Sequence, residues 1–134
     1  MTATDLDGAL AANRAFYAAF EARDLDAMSM AWEHSDRVLC THPGWATLQG
    51  WGRVAASFFA LFQNAQRLQF ILTNEAAEVV GDVAWVAVDE NILDTANATT
   101  VAAINLFVRN EEGEWLMVAH HASAVSASDT GGGT

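Results

Sequence analysis

The sequence predicts an α+β protein, with helices gathered in its first half and a strand meander in its second. Two observations carry that prediction. Apolar residues recur at three and four positions up to about residue 64, then at two from about residue 67 onward. Short turn signals, "GD" at Gly81–Asp82, "DTANATT" and "NEEGE", then separate the apolar runs at hairpin spacing. Helices in one block and strands in another describe helices packed on one face of an antiparallel sheet.

Each element has its own signal. Residues 5–22 form the first predicted helix, with Leu6, Leu10, Asn13, Tyr17 and Phe20 on one stripe and Phe16 beside it. Thr4 is its expected cap, and Asp5 and Asp7 suit its positive end. "RDLDAMSMAW" begins a second, shorter helix capped by Asp24, with Leu25, Met28 and Trp32 as its stripe. "DRVLCTHPG" is a short strand stopped by Pro43, the single proline, and Gly44. A brief strand, "WATLQ", follows. "GWGRVAASFFALFQN" is the third helix: Val54, Phe58, Leu61 and Phe62 align, and Asn64 ends it.

"RLQFILTNEAAEVV" then reads as a long strand with a bulge or bend, followed by "VAWVAVDENIL", "VAAINLFVR" and "WLMVAHHASAV". In "VAAINLFV" one face is Val101, Ala103, Asn105 and Phe107, and the other is Ala102, Ile104, Leu106 and Val108. Both faces of "VAWVAV" are apolar as well. A sheet with one wet face alternates apolar and polar. Two apolar faces predict a second cover for the sheet, and hence a homodimer through it.

The chain of 134 residues fits one domain, expected over 1–125, with "SASDTGGGT" (126–134) a small, polar, disordered tail. Its apolar share of 52% supports a real core. A formal net charge of −11 with six cationic residues argues against nucleic acid and anionic membrane surfaces as partners. The N-terminus lacks the pattern of a secretory signal, and no run approaches a membrane span, so a cytoplasmic protein is expected. Cys40, the single cysteine, sits in an apolar run and reads as a small buried hydrophobe.

The order of elements, the segment from His42 to Val54 ("HPG…GWGRV") and the ending Trp115, Val118, His121 and Ser123 after the Gly113 turn resemble the NTF2-like superfamily. Its SnoaL-like, DUF4440-type proteins are the nearest in pattern, over roughly residues 5–125. The kinase-association branch ends with a similar W-x-x-V-x-x-H-x-S pattern. The resemblance implies a cone: a curved antiparallel sheet wrapped around the three helices of the N-terminal half, with an internal cavity open at one end, in a domain that is usually dimeric. Such domains include isomerases, cyclases and dehydratases as well as non-catalytic assembly domains, so fold does not decide function.

Strand parity and the resemblance together assign inward faces. Ala84, Val86, Val88 and Glu90 face in on one strand, Asn105 on the next, and Leu116, Val118, His120 and Ala122 on the last. Trp115, His121 and Ser123 then face away, with His121 and Ser123 structural and at or near a dimer interface. The candidate set is Glu90 and His120 as acid–base groups, with Asn105, His42, Trp45, Val54, Phe58 and Val88 facing a ligand. A carboxylate in an apolar cavity is pushed toward neutral pKa, and histidine titrates there unaided. Asn can hold or polarise a ligand oxygen. Each residue also has a plainer role: Glu90 solvated at a strand end, Asn105 and His120 as satisfied buried polar groups, His42 bracing the turn. Adjacent strand histidines diverge, and no Cys pair or HxH is present, so no metal site is expected. "GWG" lacks the lysine and glycine-rich loop of a phosphate cradle, and no cofactor is expected. The function reading is a protein that binds a small, largely apolar molecule. The alternatives are a cofactor-independent isomerase, cyclase or dehydratase using Glu90, Asn105 and His120, and a non-catalytic assembly domain.

Overall fold

A computed structural model describes residues 3–64, 67–95 and 97–126. The expected tail, 126–134, lies outside the described residues except for residue 126. The helices are α1 (Ala3–Ala22), α2 (Leu25–Ala31) and α3 (Trp51–Phe62). The strands are β1 (Leu39–Thr41), β2 (Leu48–Gln49), β3 (Gln69–Val80), β4 (Val83–Leu93), β5 (Ala98–Arg109) and β6 (Trp115–Ala124). No helix among the described residues is long and apolar enough to cross a membrane.

The stripe on α1 buries Ala9, Asn13, Phe16 and Tyr17 against the sheet. Phe16 is the hub of the core. Its ring meets Tyr17, Trp32, Phe58 and His120 at centroid distances of 4.9, 6.3, 6.1 and 4.9 Å. α1 begins at Ala3, so Thr4 lies within its first turn and does not cap it. The helix ends at Arg23, which takes φ 54° while the Arg23 and Asp24 N–H groups donate to Phe20 O and Ala19 O. Asp24 then caps α2, accepting from the Ala27 N–H at 3.0 Å.

The six strands run in the order β2-β1-β6-β5-β4-β3. β3 to β6 form the expected antiparallel meander. β1 pairs in parallel with β6, Cys40 opposite His120, a pairing that no local pattern announces. β3 carries its expected irregularity between Thr73 and Ala76, where Asn74 takes φ 56°.

β6 departs from simple alternation. Its register on β5 shifts between Leu106 and Phe107, so Leu106 faces Ala119 while Phe107 faces Met117. Val118 is the extra residue, and the phase of the strand reverses across it. His120 and Ala122 point to the helices and His121 and Ser123 away, as parity expects. Below the bulge the assignment is overturned. Trp115 lies on the helix side, opposite Arg109 and against Gly8 of α1, and Leu116 moves to the outer face opposite Val108. A single inserted residue is invisible to a period-two count.

The outer face of the sheet leaves large apolar side chains uncovered, including Ile104 at 57% and Trp85 and Val83 at 38% exposure. The helix-side faces of β4 and β5 are closed: Ala84, Val86, Val88, Val101, Ala103 and Phe107 are all buried.

A Cβ added at Gly8 would meet Trp115 Cδ1 and Nε1 at 3.0 Å. Gly8→Leu is therefore expected to lower stability by about 1–3 kcal/mol through overpacking. Urea unfolding checks this. Unchanged stability would place Trp115 elsewhere.

Candidate functional site

Four elements bring polar side chains together inside the apolar core. Asn13 and Tyr17, four residues apart on α1, point at the sheet. Glu90 comes from β4, Asn105 from β5 and His120 from β6, where His120 pairs directly with Asn105. All five are buried. A continuous hydrogen-bond chain joins them. His120 Nδ1 donates to Asn105 Oδ1 at 2.6 Å. Asn105 Nδ2 donates to Asn13 Oδ1 at 2.9 Å and to Tyr17 Oη at 3.0 Å. Tyr17 Oη donates to Glu90 Oε2 at 2.5 Å.

The chain has a direction. Asn105 offers its carbonyl oxygen to His120, so Nδ1 carries the imidazole proton and Nε2 keeps its lone pair. At the far end Glu90 accepts from a phenol. Burial raises the Glu90 carboxyl to about 7, against which the Tyr17 hydrogen bond pulls down. Burial, and then the charge of the neighbouring Glu90, pushes Tyr17 well above its ordinary value. Burial lowers His120 to about 3, helped by His42 and His121.

His42 follows β1 and enters the same space, its ring 6.3 Å from that of His120. Ser57 of α3 gives its proton to Val54 O at 2.6 Å, so it accepts from His42 Nε2 at 2.9 Å. Burial lowers His42 to about 4. Both imidazoles are neutral at physiological pH. Cys40 is buried beneath His42, and burial pushes its thiol up to about 12, which suits a packing role.

These groups open on a cavity of about 290 Å³, at the small end of the range for ligand pockets. His42, Glu90 and His120 supply its polar wall. Phe20, Leu61, Phe62, Phe70 and Ile92 supply the apolar one. The exposed or half-exposed lining residues Glu21, Arg23, Trp45 and Asn64 mark its open end.

Of the residues expected to face a ligand, Glu90, His120, His42 and Trp45 reach this cavity. Val54, Phe58, Val88 and Asn105 do not line it. Val54, Phe58 and Val88 are core residues, and Asn105 stands one layer behind, holding the groups that do. Sequence reading missed Tyr17, Asn13 and Arg23. Asn13 was the available signal: a polar residue repeated in phase with an apolar stripe has a polar partner inside. Among the described residues no group of three or more His, Cys, Asp or Glu is placed to hold a metal ion.

A curved sheet around three helices, with a cavity at one end, defines an NTF2-like α+β cone. Residues 9–127 match the family described as SnoaL-like domain. The chain belongs to that family, and with it to the NTF2-like superfamily. Two solved structures are similar in both sequence and fold. A proposed dehydratase of the NTF2-like family from Streptomyces avermitilis is 38% identical, with 92% of this chain and 98% of that one covered and a TM-score of 0.85. A proposed calcium/calmodulin-dependent protein kinase type II association domain from Thiobacillus denitrificans is 39% identical, with 87% and 94% covered and a TM-score of 0.75. The F-box protein SKIP8 of Arabidopsis thaliana is 26% identical over 120 residues, 90% of this chain. The chain spans about half the length of that curated relative, 51%.

The polar groups make stability depend on pH in two opposed ways. Glu90 has its pKa raised on folding, so its contribution is full below about 4.5 and is lost as pH rises through about 7. His42 and His120 have theirs lowered, so their contribution is full above about 6.5 and is lost as pH falls toward about 4 and 3. Glu90→Gln removes the first term alone. Relative to the parent, the variant is expected to gain stability between pH 5 and pH 8, read by urea unfolding at both. An identical pH dependence would show that Glu90 titrates as an ordinary carboxylate.

Proposed function

We propose that the chain binds a small, largely apolar molecule bearing an oxygen function, and acts on it as a cofactor-independent acid–base enzyme of the dehydratase or isomerase type. One observation carries this reading: the buried chain Glu90–Tyr17–Asn105–His120, whose two ends are the polar wall of an otherwise apolar cavity. The Streptomyces relative described as a proposed dehydratase agrees with it.

Glu90 is the proton-transferring group. A carboxyl near 7 is half ionised at neutral pH and can both take and return a proton. For a β-hydroxy carbonyl compound, the Glu90 carboxylate takes the proton on the carbon next to the carbonyl. The electrons of that C–H bond form the double bond, and the C–O bond to the hydroxyl breaks. The proton on Glu90 passes to the departing oxygen, which leaves as water, and the carboxylate is restored. His120 Nε2, with its lone pair, accepts a hydrogen bond from the substrate hydroxyl and orients it. Tyr17 and Asn105 do not meet the substrate. They hold Glu90 and His120 in position.

Small β-hydroxy ketones and acids, followed by the absorbance of the conjugated product, test the reading. Turnover is expected to rise with pH through about 7, as Glu90 ionises. Glu90→Gln is expected to lower it about 10²–10⁴-fold while leaving the protein folded. No turnover with any of these compounds, or turnover retained in Glu90→Gln, would overturn it.

A homodimer through the sheet is the companion proposal. It is favoured by the uncovered apolar face around Trp85 and Ile104, with His121 and Ser123 beside it. The same face would serve a non-catalytic assembly role, the reading that the kinase-association relative supports. Light scattering is expected to give twice the 14.4 kDa of one chain. Ile104→Glu is expected to return one chain mass. A single-chain mass for the parent protein at micromolar concentration would remove the proposal.

A further inference from the structure

Arg23 occupies a position where glycine is the usual residue. It ends α1 at φ 54°, a left-handed conformation that carries a steric cost for any side chain. The conformation places Arg23 on the wall of the cavity, at its open end. There Nη1 donates to the carbonyl of Asn64, just past α3. All six cationic side chains of this protein are arginines. Arg14, Arg37 and Arg109 are ion-paired, to Glu75, Glu33, and Asp5 with Asp82. Among the described residues Arg23, Arg53 and Arg67 are in no ion pair, and of these Arg23 is the one on the cavity wall. Glu21, the nearest charge in sequence on that wall, has its Oε2 taken by the Phe70 N–H at 3.0 Å.

A guanidinium has five N–H donors in a flat fork that matches a carboxylate. The bond to Asn64 uses one of them. A strained backbone at a functional cavity, an unpaired cation in a strongly acidic protein, and a fork with donors to spare coincide in one residue.

We infer that Arg23 is the anion-recognising residue of the cavity, and that the ligand is a small carboxylate whose apolar body lies against Phe20, Phe62 and Phe70. This rests on the reading of the cavity as a ligand site and names the class of molecule it takes. The carboxylate sits on Arg23 at the mouth, and the reactive end of the molecule faces Glu90 and His120. A purely structural Arg23, tying the end of α1 to the end of α3, needs only a single donor, which glutamine also supplies.

Titration of the protein with hexanoate and with hexanamide, read by calorimetry and by tryptophan fluorescence, to which Trp45 at the mouth contributes as one of five, separates these roles. The two probes differ in charge and hardly in shape. The parent protein is expected to bind hexanoate about tenfold more tightly than hexanamide, the value of one charge-assisted pair. Arg23→Gln is expected to erase that preference by weakening hexanoate alone, with the melting temperature kept. Arg23→Lys is expected to restore part of it. Equal binding of the two probes by the parent, or an equal loss of both in Arg23→Gln, overturns the inference and leaves the ligand site standing. Binding of neither probe removes the ligand site and the inference with it.

Discussion

The structure turns on one buried amide. Asn105 is fully enclosed, and both ends of its side chain are used: the oxygen by His120, the nitrogen by Asn13 and Tyr17. Through it the central helix is keyed to three neighbouring strands. An apolar residue of similar size would leave His120 Nδ1 and Asn13 Oδ1 without the partners they have here, each at a cost of about 1–3 kcal/mol, and Tyr17 with Glu90 alone. The same amide fixes which imidazole nitrogen of His120 holds the proton. Fold and chemistry are therefore specified by one side chain, which itself does not reach the cavity. The surrounding aromatic packing supplies the dry environment that makes these hydrogen bonds matter.

How far the sequence could be read follows from how local each feature is. The period change near residue 67 reports the switch from helices to strands, because side-chain direction is set by the backbone of each element. Parity placed Glu90 and Asn105 correctly because β4 and β5 run opposite one another without a break. It failed for Trp115 and Leu116 because β6 holds one unpaired residue, and Val118 looks like any other strand valine. Val54, Phe58 and Val88 went astray for another reason. A stripe shows that a residue points inward, and not whether it meets a cavity or other side chains. Arg23 could not be read at all, since its place depends on a left-handed backbone and on the distant end of α3.

The two adjacent histidines show environment acting on identical chemistry. His120 is buried and hydrogen-bonded, and burial strips it of charge. His121 is exposed on the far side of the same strand. The ending that resembles the family includes the outer histidine, while the inner one meets the cavity. The fold hosts both enzymes and assembly domains, so what this chain can do chemically is read from the groups at and behind the cavity wall. Burial raises the Glu90 carboxyl and lowers the His120 imidazole, so the same apolar surroundings leave both groups closer to neutral than water would.

The parallel pairing of β1 with β6 also bears on how the molecule assembles. Cys40 meets His120 across most of the length of the chain. Hairpins β3–β4 and β4–β5 close over short loops, so they can form early and without the first strand. The wall that carries His42 cannot be seated until β6 exists, and β6 is made last. On a ribosome the helices and the first hairpins would emerge with the polar cluster still open to water. The final strand would then complete the sheet and seal the cavity together. A form lacking only β1 docking would keep most of its secondary structure and the Glu90–Tyr17–Asn105–His120 chain, but would lack the wall that carries His42.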